Sequence, residues 1–461
     1  MIFPRFKKRW QEPCGYAEVL RIAFPLILST GSWGLQQFID RMFLTWYSPE
    51  AIAASMPAGM VNWTLVSLFL GTAGYVNTFV AQYYGAGRFQ RIGSAVWQGI
   101  YLAVFVIPIV LIIYPFIHPF FGFIGHAPEV QRLEVVYSRI LLLGMPLVVI
   151  SSAASGFFTG RGQTLVVMWV NIGATSVNVV LDYLFIFGKF GLPELGIRGA
   201  GWATVASALI TCLLFFALMI RPVYNRKYHT LKAWRFEGEL FKRLLYFGLP
   251  NGIQFMLEVL AFTIFIILVG KIGIVELAAS NIAFNINSLA FLPMFGMSIA
   301  VSTLVGQRLG ENRPAQAERS TWSAFHISFT FFGLLALGYF FIPGLFLLPF
   351  GWQIDPAQFA PIRHTTVVLL RFVAVYSLFD AMNIIFSAAI KGAGDTRFVA
   401  KTTISLSWFV MLSPSFVTLF LLNGGLYWLW TFVTAYILGL GVIFLWRFLK
   451  GKWREMRVIE Q

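Results

Sequence analysis

Twelve stretches of the chain are poor in charge and long enough to cross the hydrocarbon of a bilayer. They lie near 20–44, 52–83, 94–120, 134–158, 165–187 and 199–220, then near 244–270, 277–308, 321–348, 365–390, 398–422 and 424–447. A span needs about 20 apolar residues rising about 1.5 Å each. Lipid offers no partner to a backbone N–H or C=O, so each stretch must close its own hydrogen bonds as an α-helix. Period-two alternation is absent, which excludes an outer-membrane barrel. The 58% hydrophobic and 11% charged residues, with mean hydropathy +0.76, put the apolar excess beyond what a soluble core absorbs; soluble chains carry about a quarter charged residues. The expectation is an all-α integral membrane protein of twelve transmembrane helices.

Charge sets the orientation. The N-terminal tail, the even-numbered loops and the C-terminal tail hold about 25 Lys and Arg, against about five in the other loops, which places the former inside. Both termini are then cytoplasmic in a multi-pass protein of the inner membrane. The basic start (Arg5, Lys7, Lys8, Arg9) has no small-residue cleavage site after its first apolar stretch, so it reads as the lead-in to the first helix. The net charge of +15 is spread over many short loops, which argues against a nucleic-acid surface. Cys14 and Cys212 make no disulfide framework or thiolate site, and the five His show no metal-ligand spacing. A phosphate-binding G-x-x-x-x-G-K-[ST] loop is missing as well, so direct use of ATP is not expected.

The chain repeats itself. LRIAFP (20–25) matches LYFGLP (245–250), Ala53-Ala54-Ser55 matches Ala278-Ala279-Ser280, and TFVAQYYGAGR (78–88) matches TLVGQRLGENR (303–313), all at an offset of 225 residues. A fourth pair, GRGQT (160–164) and GAGDT (392–396), is offset by 232. Six spans per half is an even number, so both halves enter the membrane from one side. Such parallel repeats are related by a pseudo-two-fold axis along the membrane normal, with a site expected between them. The expected division is an N-terminal lobe over 1–220, a basic cytoplasmic connector over 221–243 and a C-terminal lobe over 244–461.

Ionisable groups inside the bilayer cost roughly 2.5–3.5 kcal/mol each at a helix centre on insertion scales and so call for a reason. Four acids fall within spans: Asp40, Asp182, Glu258 and Asp380. Across the repeat they map to Phe265, Pro414, Trp33 and Val148, so none is duplicated. Asp40, Asp182 and Thr204 share one level in the outer part of the first half. Asn171, Thr175, Asn178 and Asp182, spaced 4, 3 and 4, form one polar stripe on the fifth span. In the second half Glu258 lies mid-span with Asn251 and Gln254 on its face, while Tyr376, Asp380, Asn383 and Ser387 repeat the 4, 3, 4 spacing; Asn281, Asn285 and Ser288 add polar positions on the eighth span. Carboxylate, amide and hydroxyl oxygens are the hard ligands that Na⁺ uses, and buried carboxylates also exchange protons. The plainer alternative is polar glue between helices. Prolines within spans (Pro25, Pro57, Pro108, Pro146, Pro250, Pro293) are expected kinks.

These residues resemble the multidrug and toxic compound extrusion family over essentially the whole chain. The likeness is carried by Pro25 with Asp40, TFVAQYYGAGR, GFFTGRGQT (156–164), SVNVVLDYLFIFG (176–188), GIRGAGWATVAS (196–207), LPNGIQFMLE (249–258) and YSLFDAMNIIFSAAIKGAGDT (376–396). The resemblance implies a V-shaped pair of six-helix lobes exporting organic cations in exchange for Na⁺ or H⁺. It implies a coupling-cation site, for a proton or Na⁺, at Asp40, Asn178, Asp182 and Thr204. The NorM-like branch would add a cation or substrate site at Glu258, Tyr376 and Asp380.

The reading is a monomeric secondary antiporter without a cofactor, working among membrane lipids on small organic cations and one coupling cation. A flippase of lipids or lipid-linked oligosaccharides is the alternative within the wider superfamily; it would need a large basic cavity, and few basic residues fall within spans. A membrane-embedded transferase would need a catalytic cluster at an interface loop, and the outer loops are short and poor in His and paired acids.

Overall fold

The computed structural model describes residues 9–10, 12–351 and 356–460; Arg5, Lys7 and Lys8 of the basic start lie outside the described residues. Long helices follow one another in the order α1 (Tyr16–Tyr47), α2 (Pro49–Gly85), α3 (Phe89–Ile124), α4 (Pro128–Thr159), α5 (Thr164–Phe187) and α6 (Ile197–Met219). The second series is α7 (Gly238–Gly270), α8 (Ile274–Gly310), α9 (Pro314–Phe341), α10 (Pro356–Ala393), α11 (Thr396–Phe420) and α12 (Leu426–Leu449). The described residues contain no strand. Eleven of these helices are long and apolar enough to cross a membrane. The other, α1, is 32 residues long, and Gln36, Gln37, Asp40 and Arg41 dilute its apolar character. The fold is thus an all-α membrane fold of twelve spanning helices.

Local chemistry sets the helix ends. Ser48 is extended and accepts the Ala51 N–H at 3.0 Å, with Pro49 in the first turn, where a missing N–H costs nothing. The apolar run expected over 321–348 is cut at Phe341, and a short helix, Pro343–Gly351, follows. Pro343 is the reason: its ring disfavours a helical Ile342, which adopts φ −128°. The prolines expected to kink spans all lie inside continuous helices. In α11 the turn widens to a π-helical segment, Ser407–Leu412, just before Pro414, which has no N–H for the regular ladder.

The repeat is visible in the backbone of the corners. After α2, Gly87 takes φ +70° and Arg88 N–H bonds Tyr83 O at 3.0 Å. Their mates after α8 do the same: Asn312 takes φ +57° and Arg313 N–H bonds Arg308 O at 2.8 Å. The corner after α4 (Gly162, φ +76°; Gln163 N–H to Phe158 O, 2.9 Å) matches that after α10 (Gly394, φ +118°; Asp395 N–H to Ile390 O, 3.1 Å). Left-handed backbone at these positions is why Gly, or Asn in its place, recurs there.

The chain forms two compact units. The first comprises Leu28–Met256, Gly310–Asn312 and Val458–Gln461; the second comprises Met1–Ile27, Leu257–Leu309 and Arg313–Arg457. Both α1 and α7 therefore pass from one unit to the other part-way along their length.

Within the first unit α2 and α7 touch backbone to backbone. A Cβ on Gly71 would come 2.8 Å from Gly252 Cα, and one on Gly252 would collide with the Leu68 carbonyl oxygen. Asn251 seals the crossing by donating to Gly71 O at 2.8 Å. Small residues permit such approaches where packing, not hydrophobicity, holds helices together. The connector is fastened to this unit. Arg161, only 5% exposed, is boxed by rings at 3.7 Å (Phe157), 4.6 Å (Tyr224) and 4.6 Å (Tyr228), which anchors the short helix Pro222–Tyr228. Trp97 donates to Thr230 O at 2.7 Å and Arg91 pairs with Glu237 at 2.7 Å. The connector's Arg221, Arg226, Lys227, Lys232 and Arg235 are exposed.

The C-terminal tail closes the same end. Arg243 donates to Val458 O and Ile459 O, and Val458 N–H bonds Gln82 Oε1 at 2.8 Å. Glu460 accepts from Tyr83 at 2.6 Å and Arg91 at 3.1 Å. Burial pushes the Glu460 carboxyl up, but the Tyr83 hydroxyl and the Arg91 guanidinium outweigh it and hold it below its ordinary value. Its contribution to docking the tail is therefore full above the usual glutamate range and lost as pH falls through the lowered value.

Two outcomes are expected. Gly252→Leu overpacks the α2–α7 crossing and costs about 1–3 kcal/mol, read as a lower melting temperature of detergent-purified protein. Gly59→Ala, where a Cβ meets nothing within 4 Å, leaves it unchanged. Glu460→Gln loosens the tail, read as faster proteolytic cleavage after residue 450, and at low pH the unsubstituted protein approaches the variant's rate.

Candidate functional site

In the first unit α1 and α5 are zipped by polar pairs that climb from mid-span. Asn171 donates to Ser29 Oγ at 2.6 Å, and Thr175 Oγ1 meets Gln36 Oε1 at 3.5 Å. Above them Asn178 turns its amide nitrogen to both acids, donating to Asp182 Oδ2 at 3.1 Å and Asp40 Oδ1 at 3.2 Å. The 4, 3, 4 stripe of α5 faces α1 because successive members return to one side of the helix. Asn178 and Asp182 are 0% exposed and Asp40 is 8% exposed. The two carboxyl groups are within hydrogen-bond reach of each other. Two bare carboxylates so placed repel each other strongly. Asp182 Oδ1 has no hydrogen-bond partner among the described residues, which leaves an acceptor for a further cation.

Thr204 is not brought against the carboxylates by any hydrogen bond; its hydroxyl donates to Ala200 O at 3.0 Å on its own helix. Arg41 is exposed. Two partners escaped sequence reasoning. Gln36 precedes Asp40 by one turn, so its spacing could have disclosed it. Tyr137 is buried on α4 where both acids act on its hydroxyl electrostatically, and nothing in its sequence neighbourhood signals that.

The second unit carries a separate cluster. Glu258 on α7 accepts from Tyr436 of α12 at 3.5 Å, and Asn383 donates to Asp380 Oδ1 at 3.1 Å on α10. Asp380 is 7% exposed and Tyr376, one turn before it, is 1% exposed. Glu258 acts on Asp380 through space and also on Lys391, which continues the α10 stripe one turn past Ser387. Tyr436 and Lys391 were both missed; Lys391 keeps the stripe's spacing, while the polar residues nearest Tyr436, Thr431 and Thr434, bond back to their own helix and mark no stripe. Asn251 serves the α2–α7 crossing. Asn281, Asn285 and Ser288 are exposed, and both Asn285 and Ser288 bond back to their own helix.

The described residues contain no group of three or more His, Cys, Asp and Glu placed to hold a metal ion. The first cluster instead offers two carboxyls with a shared amide donor, and the second two carboxyls with an amide and a tyrosine hydroxyl, chemistry suited to a proton or a hard monovalent cation. Asn178→Ala leaves two buried carboxyls without their shared donor. The expected cost is about 1–3 kcal/mol in thermal unfolding, whereas Arg41→Gln stays within about 0.5 kcal/mol.

The fold has close relatives among solved structures. An outward-facing multidrug resistance MATE family transporter of the MOP superfamily superposes with TM-score 0.86 at 20% identity, covering 98% of this chain and 99% of that one. A MOP superfamily transporter from Pyrococcus furiosus, described as having a binding pocket of reverse polarity, gives 0.83 at 22% identity, covering 96% and 97%. The eukaryotic MATE transporter AtDTX14 gives 0.83 at 18% identity, covering 95% and 96%. The family model MatE matches residues 25–184 and again 250–417, two matches that start 225 residues apart, as the repeated motifs do. The chain belongs to the MatE family of transporters, the multidrug and toxic compound extrusion family.

Proposed function

We propose that this transporter is a NorM-like antiporter of the inner membrane, exporting organic cations in exchange for H⁺ or Na⁺. The observation that carries the reading is the buried carboxyl pair Asp40–Asp182 bridged by Asn178. Acids this far from water are held for exchange of a cation, because small polar residues alone would join α1 to α5. The contact between the two carboxyls favours H⁺ as the ion held in this conformation. Thr204 on α6, whose hydroxyl donates to Ala200 O in this conformation, is the further oxygen that a Na⁺ set would have to recruit. The second cluster, Glu258, Tyr376 and Asp380, supplies negative charge for a cationic substrate or a second coupling ion. The basic connector and tails lie on the cytoplasmic side by the charge bias of the loops, and the protein works as a monomer.

Coupling follows from competition. A proton or Na⁺ at the first cluster neutralises it and removes the electrostatic reason for a cationic drug to stay, so ion entry and drug release are exclusive on one conformation. The test uses purified protein in liposomes loaded with a fluorescent organic cation, under a pH gradient alone and then a Na⁺ gradient alone. Export is expected under at least one, and Asp40→Asn or Asp182→Asn abolishes it while the protein still folds and inserts. Wild-type export in either variant removes the first cluster from the mechanism. No export under both gradients brings the lipid flippase forward.

A further inference from the structure

The second turn of α4 holds a carboxylate that neither cluster uses. Glu134 is 0% exposed; its Oε1 lies 2.7 Å from His126 Nδ1, and its Oε2 has no hydrogen-bond partner among the described residues. His126 stands in the short loop between α3 and α4, with its side chain 40% exposed. One turn beyond Glu134 on the same face, Ser138 Oγ is buried and likewise unpartnered among the described residues. Tyr137 shares that face and reaches the electrostatic field of Asp40 and Asp182. Across the repeat, positions 359–366 carry no acid, so Glu134 is, like the coupling acids, an addition to the duplicated frame.

Among the described residues, His126 is the one group hydrogen-bonded to the Glu134 carboxyl. Glu129 and Arg132 on α4, His118 on α3, Glu50 on α2 and Arg198 on α6 are all exposed to solvent. Arg139 lies over the Tyr114 ring at 4.8 Å. A fully buried carboxylate with one oxygen unsatisfied is costly when charged and unpaired, and its contact with the half-exposed His126 ring is its route to water. The imidazole is open to water while the carboxyl is not. A proton taken at Nε2 lets the Nδ1 proton pass to Oε1, giving neutral His126 and protonated Glu134. The ring then resets by returning to its other tautomer, and the carboxyl holds a proton below the surface.

We propose that His126 and Glu134 form the port through which a coupling proton enters the first unit from the face opposite the termini. Glu134 hands it toward Asp182 and Asp40 along the α4 face bearing Tyr137 and Ser138. The inference rests on the proton form of the antiport reading. Its test is pH-gradient-driven export of a fluorescent organic cation from liposomes, with the outside pH varied. Wild type, Glu134→Gln, Glu134→Asp and His126→Gln are compared, together with drug affinity by fluorescence and melting temperature.

Expected is that Glu134→Gln and His126→Gln slow pH-driven export by about 100-fold and move its half-maximal point to lower external pH, in line with losing one proton-transfer group. Drug affinity should stay unchanged, and Glu134→Asp should recover most of the loss. A wild-type pH profile in Glu134→Gln overturns the port while leaving the antiporter reading intact. Wild-type protein that runs on Na⁺ but ignores the pH gradient overturns the port and the proton reading together. If Glu134→Gln fails to fold, the exposed His126→Gln decides, and a wild-type profile there overturns the port.

Discussion

Hydrocarbon leaves a polar group no partner except another part of the chain, and every level of this structure answers that constraint. The backbone meets it by forming helices that close their own ladders. Side chains meet it in pairs across helices: Ser29 with Asn171, Gln36 with Thr175, and Asn178 with both Asp40 and Asp182. The zipper between α1 and α5 thereby does two things at once. It joins the helices, and it delivers two carboxyls to one spot where neither can be charged without regard to the other.

Duplication explains why scaffold and site can be told apart. What recurs at the 225-residue offset is backbone geometry: the left-handed corners after α2 and α8 and the bonds that close them. What does not recur is buried charge. The first unit has a carboxyl pair bridged by an amide, and the second has two acids each met by a separate partner, Tyr436 and Asn383. A duplicated frame thus carries two electrostatically unlike centres.

Much of this was legible from residue order. Apolar run length located all twelve helices, since helix length in a membrane is set by hydrocarbon thickness, but α4, α7, α9 and α10 begin six to nine residues before their apolar runs. The end of α9 was hidden because Pro343 interrupts a run that stays apolar on both sides. The acids and the α5 stripe stood out because polar residues are rare within spans. Tyr137 and Tyr436 did not, because an aromatic in a span reads as packing until its hydroxyl is seen beside a carboxyl. Helix spacing predicts which residues share a face, but it says nothing of which neighbouring helix that face meets. Asn251 shows the limit: it shares the face of Glu258 and is spent on the carbonyl of Gly71.

The matched corners have a consequence for how such a chain can change. Because the bend after α2 and the bend after α8 are closed by the same bond at the same register, each is a standard joint, indifferent to the cargo of the helices it links. Mutation can rewrite the faces of a helix on one side of the molecule without renegotiating the way the chain turns. Once the ancestral half had been copied, its two descendants were free to become different machines on identical hinges of backbone.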